Sequence, residues 1–120
     1  MRRERTVMNK TTIRTALVAL VALGTFAPAA GAADAARGKE KADQICAACH
    51  GKDGATPIDP SYPKLAGQHA DYLVKALEDY HSGARKNPMM APMAQNLTAQ
   101  DRLDLAAWFS SQPQGLSVVK

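Results

Sequence analysis

The feature that most constrains this chain of 120 residues is a pair of cysteines with two residues between them, Cys46 and Cys49, followed directly by His50. They are the only cysteines in the sequence, so at most one disulfide can form. A single turn of helix would place both sulfurs on one side of the chain, next to the imidazole. Any fold of this chain must therefore keep two thiols and an imidazole together at one point.

Four kinds of site use such a spacing. A redox pair of the thioredoxin kind is expected beside a βαβ pattern, which this sequence lacks. A tetrahedral zinc site needs further ligands, and the other two histidines, His69 and His81, do not stand at zinc-finger spacing. A disulfide between such near neighbours would constrain little of the unfolded chain. The remaining chemistry is covalent attachment of haem, in which the sulfurs form thioethers with the vinyl groups and the histidine reaches the iron.

The first 33 residues have the pattern of a secretory signal peptide. Basic residues precede an apolar run over residues 16–27, and small residues follow through Ala33. The apolar run is short for a membrane span, which needs about 20 residues. We therefore expect cleavage after Ala32 or Ala33 and export to the periplasm, rather than a retained membrane anchor.

The net charge of +4 comes entirely from this leader. Residues 1–33 hold five Lys or Arg and one acidic residue, whereas the rest of the chain holds ten residues of each sign. No basic stretch with interleaved aromatic residues remains, so a nucleic acid partner is not expected. A protein with so little net charge is expected to dock through a modest apolar surface rather than by long-range attraction.

The chain after the leader is long enough for one small domain, and its large apolar residues are sparse. Periodicity and capping residues predict three helices, over residues 35–48, 69–82 and from Thr98 to about Gln112. Segments rich in Pro and Gly, 51–68 and 84–97, are predicted to be loops, the second kept extended by its prolines. Because the core of such a domain is thin, a large buried cofactor would complete it.

An iron that only passes electrons benefits from a protein ligand on each side, because its coordination then changes little on oxidation. The segment from Pro88 to Met93 supplies three methionines, and thioether sulfur raises the reduction potential of haem iron. Methionine is also a common core filler. Periodicity alone does not choose among Met89, Met90 and Met93 as a ligand, and the two remaining histidines are expected at solvent-facing helix ends.

Together these segments resemble the class I c-type cytochromes, and especially one haem domain of the two-haem periplasmic cytochromes c or their single-haem relatives. The resemblance covers essentially all of residues 35–112. Besides the haem motif over residues 46–51, it is carried by residues 62–69, 82–85, 90–98 and 105–109.

The resemblance implies an all-α domain with the class I cytochrome c fold, in which three main helices and long loops surround one covalently bound haem. This domain would occupy residues 34–112, after a cleaved signal peptide at 1–33 and before a flexible C-terminal tail at 113–120. The first and last helices would cross where Gly38 packs against Trp108. A second Cys-x-x-Cys-His motif is absent from the sequence, so one haem c per chain is expected.

The resemblance also implies which residues hold the cofactor. Cys46 and Cys49 would bind haem c covalently, and His50 would be the proximal iron ligand. Met90 would be the distal ligand, because it stands six residues before an asparagine as the ligand does in similar chains. The backbone carbonyl of Pro63 would accept the ring N–H of His50, a contact that fixes the imidazole.

The function implied is electron transfer, without chemistry on a substrate. A quinol-oxidising complex would be the donor and a terminal oxidase or reductase the acceptor. The protein would be a periplasmic monomer with no stable membrane insertion once the leader is removed. The alternatives are a haem enzyme or gas-binding sensor with an open sixth coordination position, and a subunit or maturation factor permanently docked to a larger complex.

Overall fold

The computed structural model describes residues 30–114, and within this range the chain forms five helices and no strand. The helices are α1 (Ala35–Ile45), α2 (Ala47–His50), α3 (Ala70–Ser82), α4 (Met90–Gln95) and α5 (Ala99–Ser110). The predicted all-α fold is therefore confirmed. No helix in the described part is long and apolar enough to cross a membrane. Most of the predicted leader and of the predicted C-terminal tail lies outside the described residues.

Local sequence explains where the long helices begin and end. At the start of α1, the side chain of Asp34 accepts hydrogen bonds from two N–H groups of the first turn. At the start of α5, Thr98 and Asp101 form a reciprocal capping box. Helix α3 ends at Gly83, whose φ of 82° lies in the left-handed region that favours glycine. These signals are short-range, and each agrees with the helix boundary predicted from the sequence.

The first predicted helix, over residues 35–48, is interrupted at Cys46. Its backbone, with φ −101° and ψ −35°, separates α1 from α2. The carbonyl of Cys46 accepts hydrogen bonds from the N–H groups of both Cys49 and His50. The cysteine motif therefore forms a helical turn of its own, which follows α1 instead of continuing it.

The prediction that residues 84–97 form an extended loop is wrong, because this segment contains α4. The side-chain oxygen of Asn87 accepts hydrogen bonds of 2.9 Å from the N–H groups of Met89 and Met90, and so begins the turn. Pro92 is the third residue of α4. The first N–H groups of a helix have no partner within it, so no hydrogen bond of the helix is lost because proline lacks an N–H at this position.

The core of the described domain is small and rich in alanine. Of its eight buried apolar residues four are alanine, and Leu105 is the largest side chain that is fully buried. Helix α1 crosses α5 at Gly38, where an added methyl group would lie 1.9 Å from the carbonyl oxygen of Asp104 and 2.9 Å from the Cβ of Trp108. Only glycine permits this approach, and the predicted packing of Gly38 against Trp108 is confirmed.

Asp104 is a carboxylate buried beside this crossing, with 3% of its surface exposed. It accepts hydrogen bonds from the Nε of Arg37 at 2.8 Å, from the amide of Gln100 at 2.9 Å and from the backbone N–H of Asp34 at 2.8 Å. The hydrogen bond from Arg37 is the main cause that lowers the pKa of Asp104 to about 2, from its ordinary value of 3.8. The ionised carboxylate thus joins the first turn of α1 to α5.

We expect Asp104→Asn to lower the free energy of unfolding of the haem-loaded protein by roughly 2 kcal/mol at pH 7, because strong hydrogen bonds to an ionised group are lost. A carboxyl group whose pKa is depressed on folding stabilises the native state above its unfolded pKa. This contribution disappears as the pH falls from about 4 to about 2. Denaturant titrations at pH 7, pH 4 and pH 2.5 should therefore show a steeper loss of stability in the wild type than in the variant.

The matched control is Asp43→Asn, which removes an exposed carboxylate that pairs with Lys39 one turn away. Such surface pairs contribute about 0–1 kcal/mol, so this variant should keep the wild-type stability and pH dependence. Identical acid dependence in the wild type and in Asp104→Asn would contradict the assignment of Asp104.

Candidate haem-binding site

The cysteine motif opens onto two adjoining cavities of about 630 and 400 Å³. Cys46 and His50 line both cavities, and Cys49 lines the smaller one. The walls are mostly apolar and come from the loop after the motif, from α3 and from α5. They include Pro57, Pro60, Leu65, Leu73, Leu77, Leu105 and Phe109. The two thiols and the imidazole are therefore brought to the edge of a large apolar space.

His50 is buried and its ring is held by a backbone contact. Only 6% of the residue is exposed, and its Nδ1 lies 2.8 Å from the carbonyl oxygen of Pro63. Because a carbonyl can only accept, Nδ1 carries the hydrogen, which leaves the lone pair of Nε2 available to a metal. Such a contact fixes the ring and raises the basicity of the coordinating nitrogen. This is the geometry that a proximal iron ligand requires.

The two cysteines are free thiols, each partly buried. Burial is the main cause that raises the pKa of the Cys46 thiol to about 11, and the neighbouring Cys49 raises it further. A catalytic redox thiol needs the opposite shift, because the thiolate is the reactive form. The environment of Cys46 therefore argues against a thioredoxin-like redox pair and is compatible with a sulfur held for thioether attachment.

The structure separates the three methionines of the segment from Pro88 to Met93. Met90 is half-buried and lines both cavities together with His50. Met89 is 55% exposed and Met93 is 40% exposed, and both line the smaller cavity without reaching the larger one. Of the three, Met90 is the methionine that shares both spaces with the imidazole.

The larger cavity also has a polar side, whose residues were not predicted from the sequence. The guanidinium of Arg85 lies 4.8 Å from the ring centroid of Tyr80, and its Nη1 lies 3.5 Å from the hydroxyl of Tyr72. Lys64 and Gln68 line the same cavity. Cationic and hydroxyl donors beside an apolar space suit carboxylates such as the propionates of haem. The two tyrosines lie on α3, but Arg85 reaches them only because the chain turns at the end of this helix, which residue spacing does not reveal.

The donor set of the site fits a covalently attached haem. Two thiols, an imidazole with a free Nε2 and a thioether border one apolar space, and cationic side chains lie at its polar side. The apolar walls match the hydrocarbon body of a porphyrin, and the polar side matches its acidic substituents. Cys46, Cys49 and His50 would hold the haem, and Met90 lines the same cavities.

Comparison with known proteins agrees with this description. The family model for cytochrome c matches residues 35–113. Cytochrome c4 of Thiocapsa roseopersicina is 49% identical over 77 residues, which cover 64% of this chain and 39% of that protein. Cytochrome c-554(548) of Halomonas halodenitrificans is 46% identical over 81 residues, which cover 65% of this chain and 95% of that protein.

A solved structure of a relative shows the same fold. The crystal structure of reduced recombinant cytochrome c4 from Pseudomonas stutzeri has a TM-score of 0.62 and 42% identity, and the match covers 68% of this chain and 47% of that one. This chain spans about two fifths of the length of the cytochrome c4 relatives it matches.

The predicted resemblance to a single haem domain and the predicted cytochrome c fold are confirmed by these matches. The prediction of covalently bound haem c is confirmed as well, because the matched domain is one that carries this cofactor and the motif at Cys46, Cys49 and His50 is the one that attaches it. From the motif, the helical fold around its cavities and the family match over residues 35–113, we conclude that this chain belongs to the cytochrome c family.

Proposed function

We propose that this chain is an exported carrier that passes one electron at a time between redox proteins of the periplasm. Its donor would be a quinol-oxidising complex and its acceptor a terminal oxidase or reductase. The observation that carries the proposal is that His50 and Met90 line the same two cavities next to the attachment cysteines. Export is supported by the signal-peptide pattern of residues 1–33.

Bound haem supplies the ferrous–ferric couple, and the side chains around the site tune it. The hydrogen bond to Pro63 keeps the imidazole of His50 in one orientation, so this ligand does not have to move when the iron changes charge. A thioether ligand such as Met90 raises the reduction potential. With haem bound, the apolar walls would limit contact of the iron with water and thereby solvent reorganisation. His50 and Met90 would hold the iron, which favours rapid electron transfer over binding of a substrate.

Exposed apolar side chains beside the motif support docking of redox partners at this edge of the protein. Ile58 is 72% exposed, and its backbone N–H donates to the carbonyl of Cys49 at 3.1 Å. Met89 and Met93 are also exposed and line the cavity that contains Cys49. With balanced charges outside the leader, such an apolar surface suits brief contacts that do not depend on long-range attraction.

Carbon monoxide distinguishes the proposed carrier from a haem enzyme or gas sensor with an open coordination position. We expect the Soret band of the ferrous wild-type protein to stay unchanged under carbon monoxide at neutral pH, because a thioether already occupies the sixth position. The Met90→Ala variant should bind carbon monoxide readily and serves as the positive control. Wild-type protein that binds carbon monoxide as readily as this variant would contradict the proposal and favour the open-site alternative.

A further inference from the structure

The C-terminal ends of α3 and α4 are joined by two reciprocal hydrogen bonds. The Nδ1 of His81, in the last turn of α3, lies 2.9 Å from the carbonyl oxygen of Ala94 in α4. In return, the side-chain amide of Gln95 donates to the carbonyl of His81 at 2.5 Å. His81 was expected at a solvent-facing helix end, but it is half-buried and makes this contact.

The hydrogen bond of His81 is partly shielded from competition with water, whereas that of Gln95 is exposed. Ala94 is fully buried, and Leu97, one turn further on, is 5% exposed. The carbonyl of Ala94 also accepts a hydrogen bond from the N–H of Leu97, so it keeps a partner when the histidine is removed. Because a carbonyl only accepts, Nδ1 carries a hydrogen in the neutral and in the protonated ring alike. The contact therefore does not depend on the charge of His81.

Helix α4 needs such support from outside. It has six residues, far fewer than the roughly 12–15 that an isolated helix requires for marginal stability in water. Met90 is its first residue and Ala94 lies one turn further along. Because both residues lie in the same short helix, a contact that fastens Ala94 restricts where the backbone of Met90 can lie.

We propose that His81 is a positioning residue for Met90: it fastens α4 to α3 and thereby keeps the thioether at the iron. This inference rests on the proposed assignment of Met90 as the distal ligand. When the contact is removed, the domain remains folded around its haem, but α4 moves away from the iron more often. The measurable consequence is easier replacement of the sulfur by an added ligand.

The test is a titration of the ferric, haem-loaded protein with imidazole, followed through the Soret band and through the weak far-red band that methionine sulfur gives ferric haem. We expect His81→Leu to bind imidazole roughly fivefold more tightly than the wild type, which is the equilibrium effect of losing one ordinary hydrogen bond. Gln95→Ala should shift the affinity in the same direction, because it removes the returned hydrogen bond while His81 stays in place.

Two further variants separate positioning from a general effect on the fold. His81→Asn retains an N–H donor near the position of Nδ1, so it should restore an affinity close to that of the wild type. His69→Leu removes the histidine that precedes α3 at its opposite end. The exposed ring of His69 makes no hydrogen bond within residues 30–114, so this variant should leave the affinity unchanged. An affinity in His81→Leu equal to that of the wild type would overturn the inference, even if this variant unfolds more easily.

The spectrum of the wild-type protein distinguishes a failure of this inference from a failure of the proposed function. If ferric wild-type protein lacks the far-red band, then Met90 is not the ligand and the proposed function fails together with the inference. If the band is present and imidazole displaces the sulfur equally well in the wild type, His81→Leu and Gln95→Ala, then only the positioning role of His81 is overturned.

Discussion

We expect the double variant Cys46→Ala, Cys49→Ala to be colourless and largely unfolded when it is produced in a host that attaches haem c. Without the thioethers, haem is no longer retained by covalent bonds. The two adjoining apolar cavities of about 630 and 400 Å³ would then have to stay unfilled or collapse.

The apolar lining of the two cavities explains why the domain is not expected to tolerate this loss. Without haem, this lining would face water, at roughly 25 cal/mol per Å² of apolar surface, or the surrounding segments would collapse onto one another. Either outcome removes stabilisation from a domain whose typical net stability is only about 5–15 kcal/mol. Since half of the buried apolar residues in the described domain are alanine, little other apolar surface is available to compensate.

Two measurements on the double variant test this expectation: the haem content of the purified protein after denaturation, which detects covalent attachment, and its far-ultraviolet circular dichroism, which detects helix. Ala48→Ser changes an exposed position within the same motif and should leave both unchanged. A colourless double variant with wild-type helix content and cooperative unfolding would show that haem is not part of the core.

The second large effect is expected for Met90→Ala. This variant should keep its haem and its helices, because the attachment residues and the contacts of α4 with α3 remain. It should lose the far-red band of the ferric protein. Its reduction potential should fall by on the order of a hundred millivolts, because a thioether favours ferrous iron and axial ligands shift haem potentials over a range of about 0.8 V. Absorption spectroscopy and a potentiometric titration measure the two effects.

Met93→Ala and Met89→Ala are the matched controls, since each removes the same side chain from the same segment. Met93→Ala is the more stringent control, because Met93 stands three residues after Met90 in α4, on a neighbouring part of the helix surface. Both controls should retain the far-red band and a potential close to that of the wild type. Loss of the band in Met93→Ala, together with its retention in Met90→Ala, would move the ligand assignment to Met93.

Much of the fold was predictable because it depends on residues close together in the chain. The capping box joins Thr98 and Asp101, three residues apart, and the end of α3 follows from a single glycine, Gly83. The haem motif is equally local, so Cys46, Cys49 and the adjacent histidine could be assigned from five consecutive residues. Pro63 entered only through the resemblance to a family, and so did the choice of Met90 among the three methionines of its segment, because nothing in the local sequence marks either residue as a neighbour of the motif.

The amino-acid sequence by itself thus determined the attachment chemistry, the helical class and the caps of the long helices, since each depends on bonds between near neighbours. Tertiary structure alone decided which methionine shares its cavities with the imidazole, how Arg85 reaches the tyrosines of α3, and that a helix forms where prolines predicted an extended loop. The physical reason is distance along the chain. The hydrogen bond between α3 and α4 joins His81 to Ala94, 13 residues away, and such contacts form only when helices pack against one another.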